Sequence, residues 1–257
     1  MQDGNQGRGV PVKSVDVAFT VVQTIQDRGG AGVTEVATEL GVAKSTAHNH
    51  LTTLERLGYL VREDDVYRVG FRFLDHGGYA LTNNRWYHPV KARVSEIAQN
   101  TEELCQFAIE EHGVGVIAIR EEGAHAIQTE LRIGSRLKLH HFTAGKTILA
   151  AMSPERVEEL IERHGLPPKT SKTITDPDKL RSELAEIREK GYAFDREEHV
   201  KGVHAIGVPL KLNDGHVLGA LSIAGPPRRF SNERAIEMAN HLLGVAEELT
   251  FNLRLPS

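Results

Sequence analysis

The segment 33–60, VTEVATELGVAKSTAHNHLTTLERLGYL, constrains the fold more than any other part of this 257-residue chain. Its apolar residues recur at helical spacing on both sides of Gly41, a residue type suited to a left-handed helix end. Small polar residues open the second helix, which we expect to start near Lys44. Two short helices joined in this way form a helix-turn-helix, which places its second helix in the major groove of duplex DNA.

The flanking segments predict a winged version of this motif. Ser14 is a plausible N-cap for a preceding helix, and Thr34 can cap the first helix of the motif. The inner face of the preceding helix is predicted to carry Val15, Ala18, Val22 and Ile25. Downstream, LVREDDVYRVG predicts a two-stranded hairpin with its turn at residues 63–65.

Composition and charge suit a globular protein but give no general signal of DNA binding. Hydrophobic residues make up 40% of the chain and charged residues 26%, with a net charge of −4. Residues 1–75 carry eight Lys and Arg against ten Asp and Glu. A protein that held DNA mainly by phosphate neutralisation would carry a basic face. We therefore expect any such face to be local and to be doubled by dimerisation.

The sequence predicts a cytoplasmic protein without a membrane segment. There is no run of eighteen apolar residues, and residues 1–12 form a polar, Gly-rich stretch that we expect to be a disordered arm. The single cysteine, Cys105, excludes an intrachain disulfide and is expected to be a half-buried free thiol.

From residue 103 onward the pattern changes to mixed strands and helices. Strands are predicted at 103–111, 114–122, 126–134, 203–212 and 216–225. Helices are predicted at 144–152, 154–163, 177–190 and 232–253, with Ser153, Asp176 and Ser231 as caps. This order is typical of an α+β domain with an antiparallel sheet.

The Gly145-Lys146-Thr147 triplet resembles the end of a phosphate-binding loop. That loop also requires a glycine where this chain has His140, so we exclude nucleotide binding. The free amides at the start of the predicted helix can still hold a carboxylate.

Four histidines, His140, His141, His199 and His204, could bind zinc or copper if the fold brought them together. Their spacing does not demand it. No metal or cofactor is expected.

Three stretches together resemble the IclR family of transcriptional regulators. The first comprises Ser14-Val15-Asp16, Lys44-Ser45-Thr46, Leu57-Gly58-Tyr59-Leu60 and Tyr67-Arg68-Val69-Gly70. The second comprises Leu139-His140 and Ala144-Gly145-Lys146, and the third Gly191-Tyr192-Ala193, Glu197-Glu198-His199 and residues 219–226. Their order and spacing make the resemblance specific.

The resemblance implies a mostly α winged helix-turn-helix domain at 13–70, a linker helix at 71–85 and a GAF-like α+β effector domain at 86–257. It also implies a homodimer or a tetramer on a pseudo-palindromic operator of double-stranded DNA. The expected function is regulation of a catabolic or metabolic operon, repression more often than activation, in response to a small organic acid. No enzyme activity is expected.

Candidate DNA contacts lie on the second helix of the motif and on the wing. Lys and hydroxyl groups suit phosphate oxygens, Asn suits adenine, and His suits guanine N7 or a phosphate. The set is Thr34, Lys44, Ser45, Thr46, His48, Asn49, Thr53, Arg62, Tyr67 and Arg68. Asn49 stands where the family often has Arg, which bears on the operator sequence.

Candidate effector contacts follow mainly from the resemblance: Leu137, Thr143, Ala144, Gly145, Asp195, Val203, Ala205, Ser222 and Ala224. Within two predicted strands, Val203 alternates with Ala205, and Ser222 with Ala224, so each pair faces one side of the sheet. Ala205 stands where many family members have Cys, which bears on ligand identity.

Two other classes of protein stay open. A winged helix can bind a protein partner in place of DNA, and a GAF-like fold can host a thiol-dependent enzyme. Thiol chemistry generally needs a second cysteine to resolve the first, and Cys105 is alone.

Overall fold

The computed structural model describes residues 12–253, so residues 1–11 of the predicted arm lie outside the described part. The chain divides into two compact units, Met1–Leu81 and Thr82–Ser257. Among the described helices, none combines the length and the apolar character that crossing a bilayer requires.

The first unit contains the predicted helix-turn-helix and hairpin. Its helices are α1 (Lys13–Arg28), α2 (Val33–Leu40) and α3 (Lys44–Arg56), and its strands are β1 (Leu60–Glu63) and β2 (Val66–Val69). Helix α4 (Arg72–Thr82) follows. Gly41 ends α2 with φ of 64°, as predicted, because a residue without Cβ adopts the left-handed conformation at little cost. The two strands pair from Leu60 opposite Val69 to Glu63 opposite Val66.

Two predicted caps in this unit are wrong. Helix α1 starts after Val12 and α2 after Gly32, so Ser14 and Thr34 lie inside their helices. The α2 start is stabilised instead by Glu35, whose carboxylate accepts a hydrogen bond of 2.8 Å from the Gly32 amide.

The predicted inner face of α1 is also partly wrong. Val21 and Ile25 are buried, and Val22 beside them is 9% exposed, whereas Val15 is 51% exposed. The stripe of Val21 and Ile25, four residues apart, is the one that packs into the core. The stripe that begins with Val15 borders an apolar groove described below.

The second unit is an antiparallel six-stranded sheet with helices on its faces. Its strands are β3 (Leu104–Glu111), β4 (Val114–Glu122), β5 (Arg136–Lys138), β6 (Ala193–Arg196), β7 (His204–Lys211) and β8 (Val217–Gly225). They lie in the order β5-β4-β3-β8-β7-β6. The helices are α5 (Tyr87–Thr101), α6 (Thr143–Ala151), α7 (Pro154–His164), α8 (Pro177–Lys190) and α9 (Asn232–Asn252).

Helix starts in this unit follow local chemistry, as the sequence predicts. Ser153, Asp176 and Ser231 each accept a hydrogen bond from the backbone amide three residues later, at Arg156, Lys179 and Arg234. These bonds satisfy amides that the first turn of a helix leaves without partners. The predicted α+β class with an antiparallel sheet is confirmed.

Strand predictions fail at two places. Residues 126–134 form no strand, and the pairing with β4 begins only at Arg136. Strand β6 was not predicted, because its four residues, AFDR, place the charged Asp195 in the interior and so hide the apolar pattern of a strand. Cys105 lies in β3 but is fully buried, not half-buried.

Helix α6 begins directly above Gly207 of β7, and this close approach positions the candidate site. A Cβ on Gly207 would lie 2.8 Å from Thr143 Cγ2 and 3.1 Å from the Leu221 carbonyl oxygen. Glycine is therefore needed here for the approach of a helix to the sheet rather than for an unusual φ angle.

We predict that Gly207→Ala lowers the free energy of unfolding by about 1–3 kcal/mol, as overpacking of a dense core does. The matched control is Gly244→Ala in α9, where a Cβ meets nothing within 4 Å. That change should stabilise the helix by up to about 1 kcal/mol. Urea unfolding of both variants measures the difference, and equal stabilities would contradict the packing at Gly207.

Candidate DNA-binding surface and effector cavity

Helix α3 presents its polar N-terminal face to solvent. Ala47 and Leu51 are 0% exposed and anchor the opposite face in the core of the first unit. The predicted contacts Lys44, Ser45, His48, Asn49 and Thr53 are exposed, and Thr46 is half-buried. Thr34 on α2 is also exposed. The arrangement leaves the start of α3 accessible to a groove of DNA, as the predicted motif requires.

The two wing arginines are engaged within the wing. Arg62 Nη2 lies 2.6 Å from Asp65 Oδ1, and Arg68 Nε lies 3.2 Å from Glu63 Oε2. Arg68 also donates a 2.7 Å hydrogen bond to the Gly29 carbonyl. Both arginines remain partly exposed, but each has a carboxylate partner that a phosphate would have to displace.

Tyr67 is a core residue, contrary to the prediction that it contacts DNA. Its side chain is 1% exposed, and its backbone pairs with that of Ala31. The wing sequence alternates, so Tyr67 faces inward while its neighbour Arg68 faces solvent.

The second unit contains a cavity on the α6 face of its sheet. Strand register places side chains of four neighbouring strands in rows, because directly paired residues point to the same face. One row contains Leu104, Ala224, Ala205 and Asp195, from β3, β8, β7 and β6. The next contains Gln106, Ser222 and Gly207. The N-terminus of α6 lies over the Gly207 end of this second row.

Most of the predicted effector residues line this cavity: Thr143, Ala144, Asp195, Val203, Ala205, Ser222 and Ala224. Leu137 and Gly145 do not. Leu137 packs against the apolar core formed by α6, α7 and α8. Gly145 serves close packing, since a Cβ there would lie 2.1 Å from the Leu139 carbonyl oxygen.

Several lining residues were missed by the sequence analysis: Leu104, Gln106, Ile127, Thr129, Leu131, Phe142, His199 and Val200. Gln106 gives a usable signal, since it is an isolated polar residue within the apolar strand LCQFAI. Ile127, Thr129 and Leu131 alternate like a strand, which explains the incorrect strand prediction. Their side chains cover the cavity without joining the sheet.

The N-terminus of α6 supplies hydrogen-bond donors to the cavity. Phe142 precedes the helix and provides no side-chain cap. Thr143 is 2% exposed, and within residues 12–253 its hydroxyl has no hydrogen-bond partner. Amides in a first helical turn without a cap, together with the helix dipole, favour a negatively charged group.

Asp195 provides a carboxyl group on the neighbouring row. It is 3% exposed, and its Oδ1 accepts a 2.7 Å hydrogen bond from the Glu198 amide. Burial, reinforced by the charge of Glu198, raises the pKa of Asp195 to about 7. At neutral pH this group therefore exists in both protonation states and can either donate or accept a hydrogen bond.

A buried ion pair holds the chain around Asp195. Lys146 is 0% exposed, and its Nζ lies 2.7 Å and 2.8 Å from the two oxygens of Glu198 and 3.1 Å from Glu183. Burial alone would lower the pKa of Lys146, but the charges of Glu198 and Glu183 outweigh it and raise that pKa. The lysine therefore stays charged and connects α6 to α8 and to the segment after β6.

The candidate histidines do not form a metal site. His140 and His141 each place Nε2 near the Pro167 carbonyl, at 3.1 Å and 2.8 Å. His199 lies near His141, with ring centroids 6.5 Å apart, whereas His204 packs against Phe194. Burial lowers the pKa of His140 and His199 to about 4. Across residues 12–253, no group of His, Cys, Asp or Glu side chains is arranged to hold a metal ion.

Cys105 does not suit nucleophilic chemistry. Its side chain is 0% exposed, and burial raises the pKa of the thiol. The reactive thiolate form is therefore disfavoured.

We predict that Asp195→Asn stabilises the protein at high pH. The pKa of Asp195 is about 7 in the folded state and 3.8 ordinarily. Its contribution to stability is thus fully present below pH 3.8 and is lost as pH rises through 7. Asn keeps the acceptor for the Glu198 amide without the buried charge, so the gain is up to about 4 kcal/mol at pH 8 and about two fifths of that at pH 5.

Urea unfolding at pH 5 and pH 8 measures this difference, with Asp214→Asn in an exposed turn as the control. A stability gain that is the same at both pH values would contradict the raised pKa of Asp195.

Two family models match the chain. The model described as the bacterial transcriptional regulator IclR C-terminal domain matches residues 79–251, and that of the IclR helix-turn-helix domain matches residues 14–64.

The chain is also similar to individual regulators along most of its length. The probable HTH-type transcriptional regulator ArcR of Halobacterium salinarum is 30% identical, over 89% of this chain and 88% of that protein. The transcriptional repressor IclR of Escherichia coli is 29% identical, over 88% and 84%. A crystal structure of an IclR homologue from Microbacterium hydrocarbonoxydans in complex with 4-hydroxybenzoate superposes with a TM-score of 0.78 at 26% identity, covering 94% and 99% of the two chains.

These relatives are regulators of transcription and not enzymes, which disfavours the alternative of a thiol-dependent enzyme. The C-terminal family model alone spans more than half of the chain. The chain belongs to the IclR family and is a ligand-responsive, DNA-binding transcriptional regulator.

Proposed function

We propose that the protein is a homodimeric, cytoplasmic repressor that binds a pseudo-palindromic operator and responds to a small carboxylate. The observation that carries the DNA part of this proposal is the exposed polar face of α3, fixed in place by Ala47 and Leu51. The domains we assign are the winged helix-turn-helix at 13–70, the linker helix at 71–85 and the effector domain at 86–257.

The positions of the polar residues along α3 support different roles for them in DNA binding. Lys44, Ser45 and Thr46 occupy the first turn, where side chains and free amides suit phosphate oxygens. His48 and Asn49 follow on the exposed surface and carry groups that suit base edges. We assign Thr34, Thr53, Arg62 and Arg68 to the periphery of this contact.

An apolar groove in the first unit supports dimerisation. Residues of α1, α3, α4 and the turn after α3 enclose about 710 Å³, among them Val15, Phe19, Leu57 and Phe73, and Asn49 and Thr53 of α3 also border the groove. Phe19 is 64% exposed and Val15 is 51% exposed. A contiguous apolar patch of this kind marks an interaction surface, and a two-fold axis would pair it with its own copy. Pairing also doubles the positive charge that Lys44 offers to DNA.

The effector cavity supports a carboxylate ligand. Thr143 and the first turn of α6 offer donors at one wall, and Asp195 offers a group that can donate or accept at another. The 4-hydroxybenzoate bound by the Microbacterium hydrocarbonoxydans homologue is itself a carboxylate. A ligand that binds two arrangements of the dimer with different affinity would shift the population between them.

We predict that Lys44→Ala weakens binding to duplex DNA from directly upstream of the coding sequence and flattens its salt dependence. Loss of one phosphate contact on each of two heads should reduce the slope of log K against log salt by about 2. Fluorescence anisotropy measures the affinity for DNA at several salt concentrations between about 50 and 200 mM, which gives the slope.

The control for Lys44 is Arg181→Ala in the effector domain, which removes a cation already paired with Glu158 and Asp178. It should change the slope by less than about 1. A slope equal to that of the wild type in the Lys44 variant would show that this side chain is not at a phosphate. Absence of binding by the wild type would refute the proposal that the protein binds this upstream DNA.

We predict that Phe19→Glu converts the dimer to a monomer, because each copy would bury a charge in the apolar groove. Light scattering measures the mass, and DNA affinity should fall more than about tenfold as the paired heads separate. Val61→Glu, at a side chain that is 45% exposed outside the groove, is the control for the oligomeric state. A dimeric Phe19→Glu protein would exclude this surface as the interface.

A further inference from the structure

A second set of unsatisfied donors lies at the β3–β4 end of the effector cavity. Gln106 is 7% exposed, lines the cavity, and has a side-chain amide nitrogen without a partner in residues 12–253. Arg120 is about nine-tenths buried, with a side chain 10% exposed, and its Nε likewise has no partner in that range. Buried donors are nearly always hydrogen-bonded, so two together indicate a missing acceptor.

The two side chains are direct neighbours. Gln106 pairs with Arg120 across β3 and β4, so both point to the cavity face of the sheet. Arg120 Nη2 also lies 3.3 Å from the hydroxyl of Thr129, which lines the cavity. Its Nη1 contacts Glu122, a side chain that is 44% exposed and can give way to solvent. An amide beside a guanidinium matches a carboxylate, which accepts several hydrogen bonds at once.

We infer that Gln106 and Arg120 form a second carboxylate seat and that the effector is a short dicarboxylate. This inference rests on the proposed function, since the first carboxylate is assigned to the N-terminus of α6. Gln106 is then the residue that distinguishes a diacid from a monoacid.

The separation of the two seats sets the length of the ligand. Strands β3 and β7 are two positions apart in the sheet, with β8 between them, which is about 10 Å at the level of the backbone. Hydrogen bonds of about 2.9 Å at each end leave about 4 Å between the outermost carboxylate oxygens, which only a short or folded diacid spans.

Movement of the cavity wall at residues 127–131 would make space for such a molecule. The cavity encloses about 40 Å³, well below the roughly 300–1,000 Å³ of typical ligand pockets, so a diacid requires the wall to move. Within the described chain, residues 127–131 form no backbone hydrogen bond to the sheet. The Thr129 hydroxyl contact to Arg120 ties this segment to the second seat. Binding at that seat and displacement of the wall are therefore coupled.

Isothermal titration of the full-length protein with succinate, glutarate, monomethyl succinate and butanoate tests the inference. Wild type should bind one of the two diacids at least about tenfold more tightly than butanoate and the monoester. Gln106→Leu should abolish that preference and leave butanoate affinity within about twofold. Gln99→Leu, an exposed glutamine on α5 outside the cavity, is the matched control and should retain the preference.

Gln106→Glu provides a second variant at nearly constant size, and it should reverse the preference by repelling the second carboxylate of a diacid. Melting temperatures of all variants establish that they are folded. Equal affinity of the wild type for diacids and monoacids overturns the inference while leaving a carboxylate effector in place. Equal loss of both ligand classes in Gln106→Leu also overturns it, and no binding of any of these acids by the wild type overturns the proposed effector class as well.

Discussion

The buried ion pair between Lys146 and Glu198 is the interaction on which the effector unit depends. A charge without solvent contact is costly unless it is paired, and removal of one partner from a buried pair costs about 3–5 kcal/mol. Lys146 also approaches the Phe194 carbonyl at 3.5 Å, and Glu198 accepts from the Arg196 amide. Because β6 is the last strand of the sheet, its outer backbone groups have no neighbouring strand to pair with. The ion pair satisfies two of these groups. In doing so it fixes Asp195 between them.

Helix α6 consequently serves the fold and the cavity at the same time. Thr143 at its start lines the cavity, and no residue of 12–253 partners its hydroxyl, while Lys146, three residues on, faces the buried carboxylates. Gly207 allows this helix to lie against the sheet. Because the same few residues support the core and border the cavity, a ligand that shifted the start of α6 would also strain the ion pair. Coupling between the cavity and the rest of the unit follows from shared residues and requires no separate pathway.

The sequence predicted the features that depend on local chemistry. Gly41, Ser153, Asp176 and Ser231 act through bonds to residues three or four positions away, so their patterns are visible in a short window. Apart from the two misplaced caps at Ser14 and Thr34, the errors arose where tertiary contacts decide. The 126–134 segment alternates like a strand, yet its apolar side chains cover a cavity. Strand β6 was hidden because its interior side chain is an acid whose burial only the distant Lys146 makes possible. Tyr67 was assigned to DNA because sequence alone cannot separate the two faces of a short wing.

In the DNA-binding unit, acidic residues pair with several of the arginines and reduce the positive charge available to DNA. In the wing, Asp65 pairs with Arg62 and Glu63 pairs with Arg68, so acids hold both cations in place. Arg28 is likewise paired, with Glu35 and Glu39. Within the described residues, Lys44 at the start of α3 makes no ion pair. The DNA-binding unit thus offers little positive charge, and in the proposed dimer affinity would come from neutral donors at close range and from simultaneous contact by two heads. Under that proposal binding would depend on the spacing of the operator half-sites more than on net charge, because only the correct spacing brings both heads into contact.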